Sequence, residues 1–198
     1  MIVEGKQKIW ADYQKDIPDD HYYYVRSCIR QSFFPASEVT FLDITRNKLG
    51  KDFYENPYHT TCGGIAYHSD SIPQETAMTI IARQFALMHE SGYENYVCSC
   101  ITSFGCYTET LETWHEFPEL EAKIRQYLWD SCKKEFAKPK YLAHSSDIIY
   151  KFRHEIAKQA KFKLVNAKTG KPLKVVEHIG CHYAKMFPSK GFGGAEYP

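Results

Sequence analysis

SIPQETAMTIIARQFALMHESGYENYVCSC, residues 71–100, reads as a helix that stops on a glycine and runs at once into a strand. Ser71-x-x-Gln74 has the form of a capping box, Pro73 falls in the first turn, and Gly92 ends the helix, which is predicted over about Ile72 to Ser91. Ala77, Ile80, Ile81, Phe85 and Met88 make one apolar stripe along it. The strand over 94–99 follows immediately. A helix that feeds a strand in this way argues for parallel pairing. The fold class expected is α/β: a Rossmann-like domain with a small parallel sheet flanked by helices. Sheets of this kind bind ligands at the C-terminal ends of their strands.

Working outward, residues 1–20 form an N-terminal extension with little pattern, and a strand is expected over His21 to Arg26. Cys28 and a loop with Phe33-Phe34-Pro35 come next, then loose helical spacing from Ser37 to Leu49. Residues 53–61 read as a strand ending at Thr61-Cys62-Gly63-Gly64, where the glycines permit a tight turn or a close approach to a ligand. A helix after Pro118 places Leu120, Ile124, Tyr127, Leu128, Cys132 and Phe136 on one face. Another is expected over Ser146 to Ala157, opened by His144. Lys168-Thr169-Gly170-Lys171-Pro172 is a turn before a last strand, Val175 to Ile179. No repeat or low-complexity tract interrupts the chain.

The chemistry-bearing residues are cysteines. Cys28, Cys98, Cys100 and Cys181 each follow a strand-like segment, and Cys62 and Cys106 lie in or near turns. Parallel strands would bring these thiols to one edge, which is how a metal or iron–sulfur site is assembled. Cys98 and Cys100, two apart, would share a face. Cys106 is expected where a loop opens into the helix of Tyr107-Thr108-Glu109, a position that favours a thiolate. Burial as small hydrophobes is the bland alternative, and it is the preferred one for Cys132, which sits in a helical stripe. His68 and His182 could ligate or move protons but rank below the cysteines, and nothing singles out one Cys–His pair. Dinucleotide, phosphate-loop, His-Glu-x-x-His and Cys-x-x-Cys motifs are absent.

With 198 residues, 25 Lys+Arg and 24 Asp+Glu, the chain is long enough for one good-sized core, either one domain or one domain plus part of another, and its near-balanced charge demands neither nucleic acid nor an anionic membrane as partner. Lys123 to Lys140 interleaves basic and acidic residues and reads as a solvated helix face. No apolar run approaches the ~18 residues of a direct membrane span, and Met1 to Asp20 lacks the character of a secretory signal. The expected compartment is the cytoplasm, with any membrane association through partner subunits. Seven cysteines there point to metal, cluster or redox use before a disulfide scaffold.

These residues resemble the B-type subunit of heterodisulfide reductase and its relatives with the cysteine-rich CCG domain, including sulfur-oxidising heterodisulfide reductase-like and succinate dehydrogenase E-type subunits. Tyr24-Val25-Arg26-Ser27-Cys28 matches the family's cysteine after the first strand, and Thr61-Cys62-Gly63 its Cys-Cys-Gly turn. Ala82-Arg83-Gln84-Phe85-Ala86-Leu87 is similar to its Ala-Arg-Asn helix, Cys98 to Cys106 occupies its Cys-x-x-Cys, and Gly180-Cys181-His182 looks like the opening of a second motif. The chain departs from the pattern at Thr61, where a cysteine ligand is replaced. It departs again at Cys98-x-Cys100 with a displaced Cys106, where Ser103 takes one slot. At Pro198 it ends before the second motif is complete, so it is either a fragment or a subunit completed by a partner.

The resemblance implies a CCG-type α/β domain over 21–172 and the start of a second, incomplete repeat over 173–198. It implies an iron–sulfur electron-transfer subunit of a thiol/disulfide oxidoreductase complex, with a cluster of 4Fe-4S type or a non-cubane assembly. Metal ligands would be Cys28, Cys62, Cys100 and Cys106, with Cys98 as the candidate fifth, Gly63 and Gly64 would line the cofactor, and Cys181 would either add a ligand or face a thiol/disulfide substrate. Flavoprotein and ferredoxin-type subunits would be partners. The competing readings are a structural zinc site, since four thiolates suit zinc equally, and a metal-free assembly subunit docking to a flavoprotein or succinate dehydrogenase-type complex.

Overall fold

A computed structural model describes residues 17–59, 61–161 and 165–173. Within them four short strands form one parallel sheet: β1 Tyr22–Val25, β2 Phe53–Tyr54, β3 Asn95–Cys98 and β4 Tyr141–His144, in the order β2-β1-β3-β4. The register runs straight across, with Val25 opposite Cys98 and Cys98 opposite His144, so β1, β3 and β4 end level. The neighbours of β1 come from successive strands on opposite sides. A topological switch point therefore lies between β1 and β3, where open α/β sheets form their crevice.

Helices cover both faces. In chain order they are α1 Cys28–Phe33, α2 Pro35–Leu42, α3 Gly64–His68, α4 Gln74–Glu90, α5 Ile101–Glu116, α6 Pro118–Cys132, α7 Ser145–Lys151 and α8 Arg153–Gln159, with a π-helical turn, Asp43–Lys48, continuing α2. Strand side chains alternate between two cores. Tyr23, Val25, Tyr96, Cys98 and Leu142 pack with Phe85, Tyr107 and Trp114. Tyr22, Tyr24, Val97 and Ala143 pack with Phe41, Phe53 and Ile148 on the other face. Burial on both faces explains why the strands read as continuous apolar and aromatic runs rather than alternating ones. Phe85 sits edge-on to Tyr96, Tyr107 and Trp114 at 5.3, 5.7 and 6.3 Å, so it is the centre of the larger core.

Several local expectations change. The Ser71–Gln74 box does not form: α4 starts at Gln74 with Pro73 as N-cap, and the Ser71 hydroxyl pairs with Ser69 at 2.9 Å. β2 is two residues long, not nine, because the chain turns at Asn56–Tyr58. Cys28 opens a helix rather than a loop. The helix expected over Ser146 to Ala157 is two helices meeting at Phe152. Cys132, assigned to the core, is exposed. β4 was not anticipated. The turn at Lys168-Thr169-Gly170 is present, with Gly170 at φ +65° and Val165 paired antiparallel with Pro172. The expected strand from Val175, Cys181 and His182 lie outside the described residues.

Candidate metal centre

Two strand ends, one turn and the body of α5 deliver five thiols into or beside the larger core. Cys28 is the first residue of α1, directly after the N-cap Ser27, whose hydroxyl accepts the Arg30 N–H at 3.3 Å. Cys62 precedes α3 and is 2% exposed. Cys98 closes β3. Cys100 is the N-cap of α5, with extended backbone. Cys106 lies one and a half turns into that helix, fully buried. The expectation that Cys106 sits at a helix opening is therefore corrected: the helix begins at Ile101, and Cys100 holds the cap position.

Cys28 and Cys62, 34 residues apart, bring their sulfurs to 3.8 Å. Cys98 and Cys106 direct their thiols to the carbonyls of Ala143 at 3.7 Å and Ser103 at 3.2 Å. The thiols sense one another's charge. Burial, then Cys62, pushes the Cys28 thiol up to about 11, with Cys100 contributing. Burial raises Cys98 and Cys106 well above an ordinary thiol, and Cys62 and Cys100 add to both shifts. Cys100 goes the other way. Burial opposes its thiolate, but the Ser103 N–H, the Ser27 hydroxyl and the Thr102 N–H and hydroxyl outweigh it and bring its pKa down. The donor set is thus soft, crowded and biased towards a single thiolate.

The turn carrying Cys62 is fixed by close packing and by a hydrogen-bonded relay. Gly63 adopts φ +78°, a conformation that favours glycine. A Cβ on Gly64 would meet the Ser103 Cα and N at 3.3 Å, so its close approach is to the backbone of α5. His59 sits between two acceptors, the Arg26 carbonyl 2.9 Å from Nε2 and Gln84 Oε1 2.8 Å from Nδ1, and its neutral ring donates to one of them at a time. Gln84, fully buried on α4, donates to the Thr61 carbonyl at 2.8 Å. Burial lowers the pKa of His59 despite these contacts. This relay ties the end of β1 to the Cys62 turn. Its only sequence signal is a glutamine interrupting an apolar helix face.

Thr61, where the resembled pattern has cysteine, is exposed, and its hydroxyl accepts the Gly63 N–H at 3.3 Å. His68 ends α3 beside Tyr67. His144 caps α7. Among the described residues, no group of three or more His, Cys, Asp or Glu side chains is arranged to hold a single metal ion. Tetrahedral zinc at about 2.3 Å from each sulfur needs S–S edges of about 3.8 Å. The Cys28–Cys62 pair matches that edge. The chemistry of the donor set fits a thiolate-bound centre.

No family model matches this chain. Among curated proteins, the B-type subunit of ferredoxin:CoB-CoM heterodisulfide reductase from Methanosarcina acetivorans is 25% identical over 191 residues, covering 93% of this chain. The chain spans 59% of that relative's length. An ordered set of strands, helices and thiols is thus met together with a similarity to one component of a reductase complex.

Proposed function

We propose that this chain is the iron–sulfur subunit of a thiol/disulfide oxidoreductase complex of heterodisulfide reductase type. The observation that carries the reading is the gathering of Cys28, Cys62, Cys98, Cys100 and Cys106 beside one switch point, from stretches far apart in sequence. A single ion needs all its ligands within one tetrahedral edge of each other. A cluster separates its ligands by its own body, so a shell of thiols with one close pair suits it better. When bound, such a cluster supplies electrons one at a time, so that a disulfide is opened in two steps.

The chain's own residues bind and orient. Cys100 offers the first thiolate, because the first turn of α5 already stabilises its charge. Cys28, Cys98 and Cys106 start as neutral thiols and release their protons on coordination, so loading weakens as pH falls. Gly63 and Gly64 let the Cys62 turn close on the centre. Cys181 is assigned the thiol chemistry on the substrate disulfide, and electrons arrive from a flavoprotein or ferredoxin-type partner. The complex belongs to the cytoplasm and meets a membrane only through partners; among the described residues, no helix is long and apolar enough to cross one.

Anaerobic purification with iron and acid-labile sulfide analysis tests this. Stoichiometric iron and sulfide, with visible absorbance, are expected. The 3.8 Å sulfur pair favours zinc as the second reading: a colourless protein with one zinc, unfolded by a chelator, would establish it. Neither metal after reconstitution would leave only the assembly role.

A further inference from the structure

Glu38 is a carboxylate on α2 that is 4% exposed. Its Oε1 accepts two hydrogen bonds: from the Ser27 N–H at 2.9 Å and from the Ser99 hydroxyl at 2.6 Å. Ser27 and Ser99 are themselves buried, at 1% and 2% exposed. Ser27 immediately precedes Cys28, and Ser99 separates Cys98 from Cys100. The Ser99 carbonyl accepts from the guanidinium of Arg30 on α1, which closes a ring around the switch point. A buried carboxylate needs such donors, and both come from thiol-bearing segments of different strands. The Ser27 hydroxyl also supports the Cys100 thiolate, so the same residue faces both loops.

We infer that Glu38 is a positioning residue that sets the separation of the Cys28 segment from the Cys98–Cys100 segment across the switch point. The assignment of the bridge needs no metal. Its importance to the centre rests on the function proposed above. The hydrogen bonds of Glu38 come from Ser27 and Ser99, beside the thiols in sequence. Glu38 acts through the two serines, much as outer-shell partners orient metal ligands.

Peptide-resolved hydrogen exchange on the iron-free chain reads the bridge directly. Glu38→Ala should accelerate exchange about tenfold in both 26–30 and 98–103, the factor implied by losing a hydrogen bond to a charged acceptor. Peptides from α6 should keep wild-type rates. Glu38→Gln, whose amide oxygen still accepts, should restore both stretches. A residue that merely stabilises α2 would loosen α2 alone, and that result overturns the proposal. If Glu38→Ala unfolds, Ser99→Ala decides. It should accelerate 98–103 and spare α6, and wild-type rates throughout would refute the bridge. Iron uptake then links bridge to centre, with lower stoichiometry expected in Glu38→Ala than in wild type. Absence of iron from wild type itself would overturn the function and leave the exchange result to judge Glu38.

Discussion

At the residue scale, a 3.8 Å gap between two sulfurs is closed by a small rotation. The iron-free chain treated with oxidised glutathione should therefore lose two thiols and gain a Cys28–Cys62 disulfide, the electrons passing to glutathione. A tryptic map that recovers the linked peptides checks this. Cys132 provides the contrast, being exposed at the last residue of α6. Cys132→Ser should keep full iron content, whereas Cys62→Ser should lose most of it by metal analysis. The thiols were legible from sequence because three of the five follow strands in a recognisable order. Glu38, His59 and Gln84 were not, because a polar residue becomes a buried bridge only when segments distant in sequence close around it. Cys132 misled for a related reason. A helical stripe shows which residues share a face, but Ile124 and Leu128 use up the buried part of α6 before its last turn.

At the scale of elements, α3 and α5 meet so closely at Gly64 that a Cβ there would press the Ser103 backbone at 3.3 Å. Gly64→Ala should cost about 1–3 kcal/mol by overpacking, read as a lower urea midpoint with an unchanged slope. The N-cap of α7 adds a pH dependence. The His144 ring accepts the Ser146 N–H at 3.3 Å through Nδ1, while Asp147 accepts the His144 N–H at 2.9 Å. Burial, then Arg30, pushes His144 down to about 4 from the usual 6.5. Between those values the unfolded chain binds the additional proton, so stability should fall as pH drops from 6.5 towards 4. His144→Asn keeps a capping oxygen and should flatten that slope in denaturant titrations. The long, strongly periodic α4 was readable in outline. β4 was hidden, since four residues between Lys140 and Ser145 carry no period that could be told from a helix start. The beginning of α5 was hidden too, because Cys100 is not a familiar cap.

At the scale of the whole molecule, a centre seated across β1, β3 and the Cys62 turn would add a covalent link between segments far apart in sequence. Anything bound there in the folded state alone raises stability by mass action. Reconstitution with iron and sulfide should raise the thermal midpoint of the wild-type chain, and chelation should reverse the gain. Cys62→Ser should show neither change. The parallel sheet was predictable from one helix–strand junction, and the gathering of thiols follows from strands that end level. What no sequence pattern gave was the strand order, which depends on which edge each crossover chooses.

The level register also limits what can change in β3. Tyr96 and Cys98 look into one core and Val97 into the other. An insertion of one residue ahead of Cys98 would carry its sulfur through the sheet, into the layer of Phe41 and Ile148. Four thiols would then remain on the far side without it.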